Sequence, residues 1–197
     1  MTPDASLLPS IVDLRGPLAW TAFDIPGGTQ PVELVRLRIE PATKAMVAVV
    51  RFPRGWRRTV EGCYEVAEEV VILDGSLEMS GATYPRGTWA WFPPRYLRTA
   101  QGTPDGALAF ARFEGPARWT PGSGEIAGVE SRPIADPGIL RAETAVQSRI
   151  DAEAPAHTAA GETEILELNS WRWAWVAPGT PPPAFAGPCF VREHEAP

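Results

Sequence analysis

The sequence predicts an all-β protein built from short antiparallel strands. Its 197 residues include 22 prolines and 18 glycines, which interrupt the chain too often for long helices. From Val32 to Glu40, the apolar Val35, Leu37 and Ile39 alternate with charged residues, which is the period of a strand with one buried face. The segment 45–52 is almost wholly apolar, as is typical of a strand covered on both faces.

Further strands follow, each bounded by turn-forming residues. They are predicted at 68–74, 76–79, 87–93, 107–113, 163–168, 171–176 and 189–191. Between 116 and 160 the pattern is weak, and a short helix around 139–146 is predicted there. The tail 193–197 is predicted to fray.

Three segments are therefore predicted. They are an N-terminal arm (1–29), a barrel core (30–115) and a C-terminal β-rich extension (116–197) that packs on the barrel or contributes further strands to it.

Composition argues against several classes of function. The net charge of −6 opposes binding to a phosphate backbone, so no nucleic-acid partner is expected. No stretch approaches the ~20 apolar residues of a membrane helix, and the first residues lack the pattern of a secretory signal, which predicts a cytoplasmic protein without a membrane partner. Cys63 and Cys189 share no metal-binding spacing and are expected to be reduced.

Two spacings point to a known fold. Glu68 is followed after six residues by Gly75, and Gly87 is followed after five by Pro93. Together with the order of strands and turns, these spacings resemble the two motifs of the cupin superfamily, specifically small ChrR-like cupins, over roughly residues 30 to 115. The resemblance implies an antiparallel β-barrel of the double-stranded β-helix, or jelly-roll, kind.

The resemblance also implies a divalent metal held by three histidines and one glutamate, but the histidines are missing here. Gly62 and Tyr64, or Glu61 and Cys63 in a longer register, occupy the two histidine positions of the first motif. Arg98 occupies the histidine position of the second motif. Of the four expected ligands, only the glutamate is kept.

Few other metal ligands are available. The only two histidines, His157 and His194, lie far outside the matched region. A mixed site of Cys63, Tyr64, Glu65 and Glu68 is a less favoured alternative, because no recognised spacing supports it. We therefore predict no metal and no other cofactor.

The candidate catalytic residues are Glu68, Tyr64 and Cys63. Glu68 is a general base if its pocket is apolar, or a structural ion-pair partner of Arg51, Arg57 or Arg98. Tyr64 and Cys63 are candidate acids or nucleophiles if neighbouring arginines stabilise their anions, and packing residues otherwise.

The candidate substrate-binding residues are Arg98, Arg51, Arg57, Arg112, Trp89, Trp91 and Phe110. Arg98 brings a permanent positive charge to the barrel mouth, where it would hold a carboxylate or stabilise an enolate, unless it turns outward in a loop. The other arginines would add a preference for anions. The aromatic residues would line a cavity for an apolar ligand, or else belong to the core.

Three functions compete at this stage. The first is a metal-independent isomerase, lyase or cyclase that moves protons on a small anionic or aromatic, polyketide-like metabolite. The second is a non-catalytic binding or regulatory cupin. The third and least favoured is a metal-dependent dioxygenase, because the histidines are missing.

A homodimer is also expected. Trp171, Trp173 and Trp175 are spaced to present one aromatic face, which would serve as an interface unless it is covered within the chain.

Overall fold

The computed structural model describes residues 10–143 and 145–194, and all regular secondary structure within these ranges is β-strand. The predicted all-β class is therefore confirmed. In these two ranges no helix has the length and apolar character needed to cross a bilayer. The strands, numbered β1–β18 along the chain, fall into two compact units.

The first unit, residues 19–133, is called the barrel unit here. Its strands are β2 (Thr21–Phe23), β3 (Val32–Ile39), β4 (Met46–Phe52), β5 (Trp56–Arg57), β6 (Gly62–Tyr64), β7 (Glu68–Met79), β8 (Ala82–Pro85), β9 (Thr88–Phe92), β10 (Gly102–Thr103), β11 (Ala107–Phe113), β12 (Trp119–Pro121) and β13 (Glu130–Pro133). The main sheet has the order β13-β9-β7-β11-β4-β3-β2, with β5, β8 and β10 attached, and β12 pairs separately with β6. Every pairing between these strands is antiparallel.

The second unit combines residues 1–18 with 134–197. Its strands are β1 (Ser10–Asp13), β14 (Gly138–Glu143), β15 (Val146–Asp151), β16 (Thr163–Glu167), β17 (Arg172–Val176) and β18 (Cys189–His194). They form one antiparallel sheet in the order β1-β17-β16-β18-β15-β14. The units therefore divide the chain differently from the predicted boundaries at 29 and 115.

The predicted helix at 139–146 is wrong, because residues 139–143 belong to β14 and Val146 begins β15. Ile139 is 57% exposed whereas Leu140 is buried, which is strand alternation rather than a helical stripe. Glu143 pairs with Val146 in the antiparallel register of the two strands. At the end of the chain, Glu193 and His194 belong to β18 instead of a frayed tail, and residues 195–197 lie outside the described ranges.

The buried face of β3 was also predicted incorrectly. Val32 and Leu34 are the residues that enter the core, whereas Ile39 is 49% exposed. An irregular register between Arg36 and Arg38 interrupts the simple alternation, as a bulge does.

Gly75 shows why the motif requires glycine. Its φ of +68° is a left-handed conformation, and a Cβ at this position would lie 2.1 Å from the carbonyl oxygen of Gly106. Glycine is therefore needed both for its backbone conformation and for the close approach of β7 to the turn before β11.

Candidate functional site: a cavity in the barrel unit

The barrel unit encloses a cavity of about 180 Å³. Strands β3 and β4 provide much of its wall through Val32, Leu34, Ala48, Val50 and Phe52. Four buried polar side chains and one buried phenol line it as well, namely Glu68, Arg98, Arg58, Gln101 and Tyr64. The cavity is thus mostly apolar with a few polar groups, as small-molecule sites usually are.

Glu68 and Arg98 form an ion pair inside the barrel. Arg98 Nη1 lies 2.5 Å from Glu68 Oε2, and the two side chains are only 4% and 9% exposed. Neither this carboxylate oxygen nor Arg98 Nε makes a directional hydrogen bond within the described residues. The contact is therefore a charge pairing that leaves hydrogen-bonding capacity unused on both partners.

The backbone fixes Arg98 in this inward position. Its N–H donates to the carbonyl oxygen of Gly62 at 2.8 Å, which joins the loop carrying Arg98 to the edge of β6. Its guanidinium carbon lies 4.6 Å from the ring centroid of Tyr64 and 5.1 Å from that of Phe92. These cation–π contacts help to hold a charge that is removed from water.

Arg58 is a second buried arginine in the cavity wall, and sequence reasoning missed it. Its Nη2 donates to Tyr64 Oη at 2.9 Å, and its guanidinium carbon lies 3.7 Å from the ring centroid of Trp119. Arg58 Nε and Nη1 are buried and have no hydrogen-bond partner among the described residues. Unsatisfied buried donors are costly, so a small rotation of the side chain that turns one of these N–H groups toward an acceptor in the cavity would be favourable.

Burial and several neighbouring groups shift the pKa of Arg58. Burial lowers the pKa, while the Tyr64 hydroxyl opposes that shift. The charge of Arg98 lowers it further, and the charge of Glu68 raises it. An arginine remains protonated despite such shifts, so Arg58 places a full positive charge in a poorly solvated site.

Gln101 is the other lining residue that sequence reasoning missed. It is 6% exposed, its Oε1 has no hydrogen-bond partner in the described chain, and its backbone carbonyl accepts the N–H of Arg58 at 2.9 Å. Arg58 and Gln101 are therefore cross-strand neighbours at the ends of β5 and β10. Neither Arg58 nor Gln101 belongs to a recognised motif. Nothing in the local sequence shows that Arg58 is buried while the adjacent Arg57 is exposed.

The charges of the buried lining groups do not cancel. Arg58 and Arg98 contribute two positive charges, Glu68 contributes one negative charge, and one positive charge therefore remains. Asp24 and Arg36 also line the cavity, but both are exposed and their charges are screened by water. The enclosed part of the cavity thus favours an anion.

The predicted aromatic lining residues do not line this cavity. On β9, Ala90 and Phe92 belong to the barrel core cluster, whereas Trp89 and Trp91 alternate onto the other face. Trp89 is buried there and donates from Nε1 to Glu69 Oε1 at 2.7 Å. Phe110 likewise lies on the opposite face of β11 from Phe113, which does line the cavity.

Three predicted arginines also lie outside the cavity wall. Arg51 is exposed, pairs with Glu33 at 2.8 Å and lies 4.0 Å from the Trp20 ring centroid. Arg57 is exposed on β5, directly before Arg58. Arg112 is buried, with its Nε 3.5 Å from Glu114 Oε1. Of the predicted binding arginines, only Arg98 reaches the cavity.

Of the adjacent candidates Cys63 and Tyr64, only one lines the cavity. Tyr64 lines the cavity, whereas Cys63 is buried outside its wall with Sγ 3.7 Å from Ser123 Oγ. Because consecutive strand residues point to opposite faces, these two residues cannot both serve one cavity from β6.

The residues at the cupin metal positions do not fit a divalent metal. A Cβ at Gly62 would lie 2.4 Å from the Thr120 carbonyl oxygen and 2.7 Å from the Trp119 ring, so the space of a first histidine is already filled. Arg98 supplies a cation where a neutral ligand is needed. Glu65 instead accepts hydrogen bonds from Arg95 and Thr120 on the exterior. Among the described residues, no three His, Cys, Asp or Glu side chains converge as a metal site.

Comparisons of the sequence find no matching family model and no matching curated protein. Solved structures do match. A putative dioxygenase from Nostoc punctiforme has a TM-score of 0.72 at 9% identity, covering 96% of this chain and 83% of that one. The chain has the cupin fold.

Two more solved structures match over most of the chain. The Escherichia coli protein Ylba has a TM-score of 0.58 at 13% identity, covering 93% of this chain and 89% of that one. A putative glyoxylate-induced protein from Pseudomonas aeruginosa has a TM-score of 0.53 at 10% identity, covering 88% and 83%. Structural matches at identities this low establish the fold alone. Function depends on the residues of the site.

Proposed function

We propose that this cupin-fold protein binds a small monocarboxylate in the barrel cavity without a metal and catalyses proton transfer on it, as an isomerase, lyase or cyclase does. The observation that carries the proposal is the buried Arg58, whose Nε and Nη1 have no acceptor among the described residues and which lines a cavity with one uncompensated positive charge. A planar guanidinium matches a carboxylate geometrically. The narrower likeness to ChrR-like cupins remains a prediction.

The size and lining of the cavity define the ligand further. A volume of about 180 Å³ is near that of a cavity that holds a single benzene ring, roughly 150 Å³. The walls from Val32 to Phe52 are apolar. The ligand we propose therefore has one carboxylate and a compact apolar body.

Glu68 is the base in this proposal. It would take a proton from the carbon next to a carbonyl group, so that the C–H electron pair moves into an enolate held by Arg58 and Arg98. Glu68 would then return the proton to the same carbon or to another one. Tyr64 Oη, which accepts from Arg58, still has its own hydrogen to donate to the developing oxyanion.

Binding is tested by calorimetric titration with pivalate and with its neutral amide, pivalamide. We expect pivalate to bind and pivalamide to bind far more weakly. Arg58→Met should weaken pivalate binding by about 10- to 100-fold, because charged hydrogen bonds contribute about 1.5–3 kcal/mol. Arg57→Met is the matched control, since Arg57 is adjacent but exposed, and should bind as the wild type does. Equal affinity for the acid and the amide would refute the carboxylate site.

A non-catalytic binding protein is the second candidate, and the Glu68–Arg98 pair favours it, because Arg98 already engages the carboxylate of the base. NMR in D₂O distinguishes the two by following exchange of the C3 protons of 2-oxobutanoate. We expect exchange with the wild type and none with Glu68→Gln, while Glu68→Gln binds the ligand at least as tightly because a negative charge has left the cavity. Binding without exchange by the wild type would support the non-catalytic candidate.

A further inference from the structure

We infer that Gln101 is a specificity-determining residue that recognises a hydroxyl group on the ligand, so that the preferred ligands are small hydroxy acids. This inference rests on the proposed carboxylate site at Arg58. It adds a second polar contact and a narrower chemical class of ligand.

The first step concerns the unused capacity of the Gln101 carboxamide. The side chain lines the cavity, is only 6% exposed, and its Oε1 is fully buried without a hydrogen-bond partner in the described chain. Nearly all buried polar atoms in proteins are satisfied, so an orphan of this kind indicates a missing partner. A carboxamide both donates and accepts, and a hydroxyl group complements either of its ends.

The second step concerns the position of Gln101 beside Arg58. Gly102 pairs with Arg57 across β10 and β5, and the Arg58 N–H donates to the Gln101 carbonyl oxygen at 2.9 Å. Side chains directly opposite each other on one face of such a pair start about 5 Å apart. Yet Gln101 Oε1 and the free donors Arg58 Nε and Nη1 do not satisfy one another.

One ligand satisfies both residues. A carboxylate oxygen accepts from a free Arg58 N–H, and a hydroxyl on a carbon close to that carboxylate donates to Gln101 Oε1, once rotation of the two side chains turns these buried atoms toward the cavity. The apolar remainder of the molecule then lies against Val50 and Leu34, which line the same cavity. Since a site with a buried polar group binds analogues that leave this group unpaired more weakly, we expect the site to prefer acids that carry the hydroxyl group.

Two pairs of acids of equal shape test this inference, because each replaces a hydroxyl by a methyl group. They are 2-hydroxyisobutyrate with pivalate, and 3-hydroxy-3-methylbutyrate with 3,3-dimethylbutyrate. In calorimetric titrations of the wild type, we expect the hydroxy acid of one pair to bind about tenfold more tightly than its partner. Gln101→Met should remove that preference while still binding the methyl analogue.

The outcomes separate this inference from the proposed function. Binding of both members of each pair with equal affinity, or a hydroxyl preference that survives in Gln101→Met, would overturn the role of Gln101 and leave the carboxylate site intact. Failure of all four acids to bind would refute the proposed carboxylate site itself. Arg58→Met should weaken the binding of every acid that the wild type binds, with or without the hydroxyl group.

Discussion

Arg58 and Arg98 differ in how their buried charges are compensated. Arg98 faces Glu68 at 2.5 Å, whereas Arg58 makes a hydrogen bond to a neutral phenol and stacks on Trp119. A ligand carboxylate therefore gains more from Arg58 than from Arg98. For this reason we assign anion binding chiefly to Arg58, and the pairing with Glu68 to Arg98.

Removing one partner of the buried pair should be strongly destabilising. Arg98→Met leaves Glu68 as an isolated charge, so we expect the free energy of unfolding to fall by about 3–5 kcal/mol. The double variant Arg98→Met/Glu68→Leu replaces both charges with apolar groups and should recover most of this loss. Urea denaturation of both variants and the wild type measures the difference. A double variant no more stable than Arg98→Met would show that the pairing is energetically unimportant.

At the scale of elements, strand alternation determines which side chains reach the cavity. Glu68, Val70 and Ile72 of β7 contribute to the cavity or the core around it, whereas Glu69 and Val71 lie on the other face. The same rule separates Phe92 from Trp91. Aromatic residues are conspicuous in the sequence, but both faces of these strands are largely buried, so hydrophobicity does not reveal which face lines the cavity.

A carboxylate also stabilises the β16–β17 turn in the second unit. Glu167 accepts hydrogen bonds from Ser170, from Arg172 Nε at 2.9 Å and from the backbone N–H of Ala186 at 2.9 Å. Burial raises the pKa of Glu167, but the hydrogen bonds and the charge of Arg172 outweigh burial and leave the pKa below its ordinary value of 4.5.

This lowered pKa predicts the direction of a pH effect. A depressed folded-state pKa contributes stability that is present above about pH 4.5 and is lost as the pH falls through the pKa of the folded state. Urea denaturation between pH 7 and pH 3 should therefore show a smaller loss of stability for Glu167→Gln than for the wild type. Identical pH dependence in the two proteins would contradict this role for Glu167.

Across the whole molecule, the sequence predicted the fold well and the site only in part. Glu68 and Arg98 were identifiable because fixed motif spacings place them in the barrel. Arg58 and Gln101 were not, because they meet through a two-residue strand pairing that no local pattern encodes. The predicted units differ from the observed ones because the second sheet joins β1 to strands more than 100 residues later.

The expected homodimer remains a prediction, and the structure reduces the surface available for it. Trp173 is only 3% exposed within the chain, and Trp171 lies before β17 at a φ of +59° instead of continuing the strand. The three tryptophans therefore do not form one continuous exposed face.

The central claim is that buried arginines, rather than a metal, bind the anionic ligand. It is tested most directly by measuring pivalate affinity before and after exhaustive dialysis against EDTA, with elemental analysis of the same samples. We predict unchanged affinity in the dialysed protein and no gain when iron, manganese or zinc is added back. Loss of binding on dialysis and its recovery with one stoichiometric divalent metal would contradict the account.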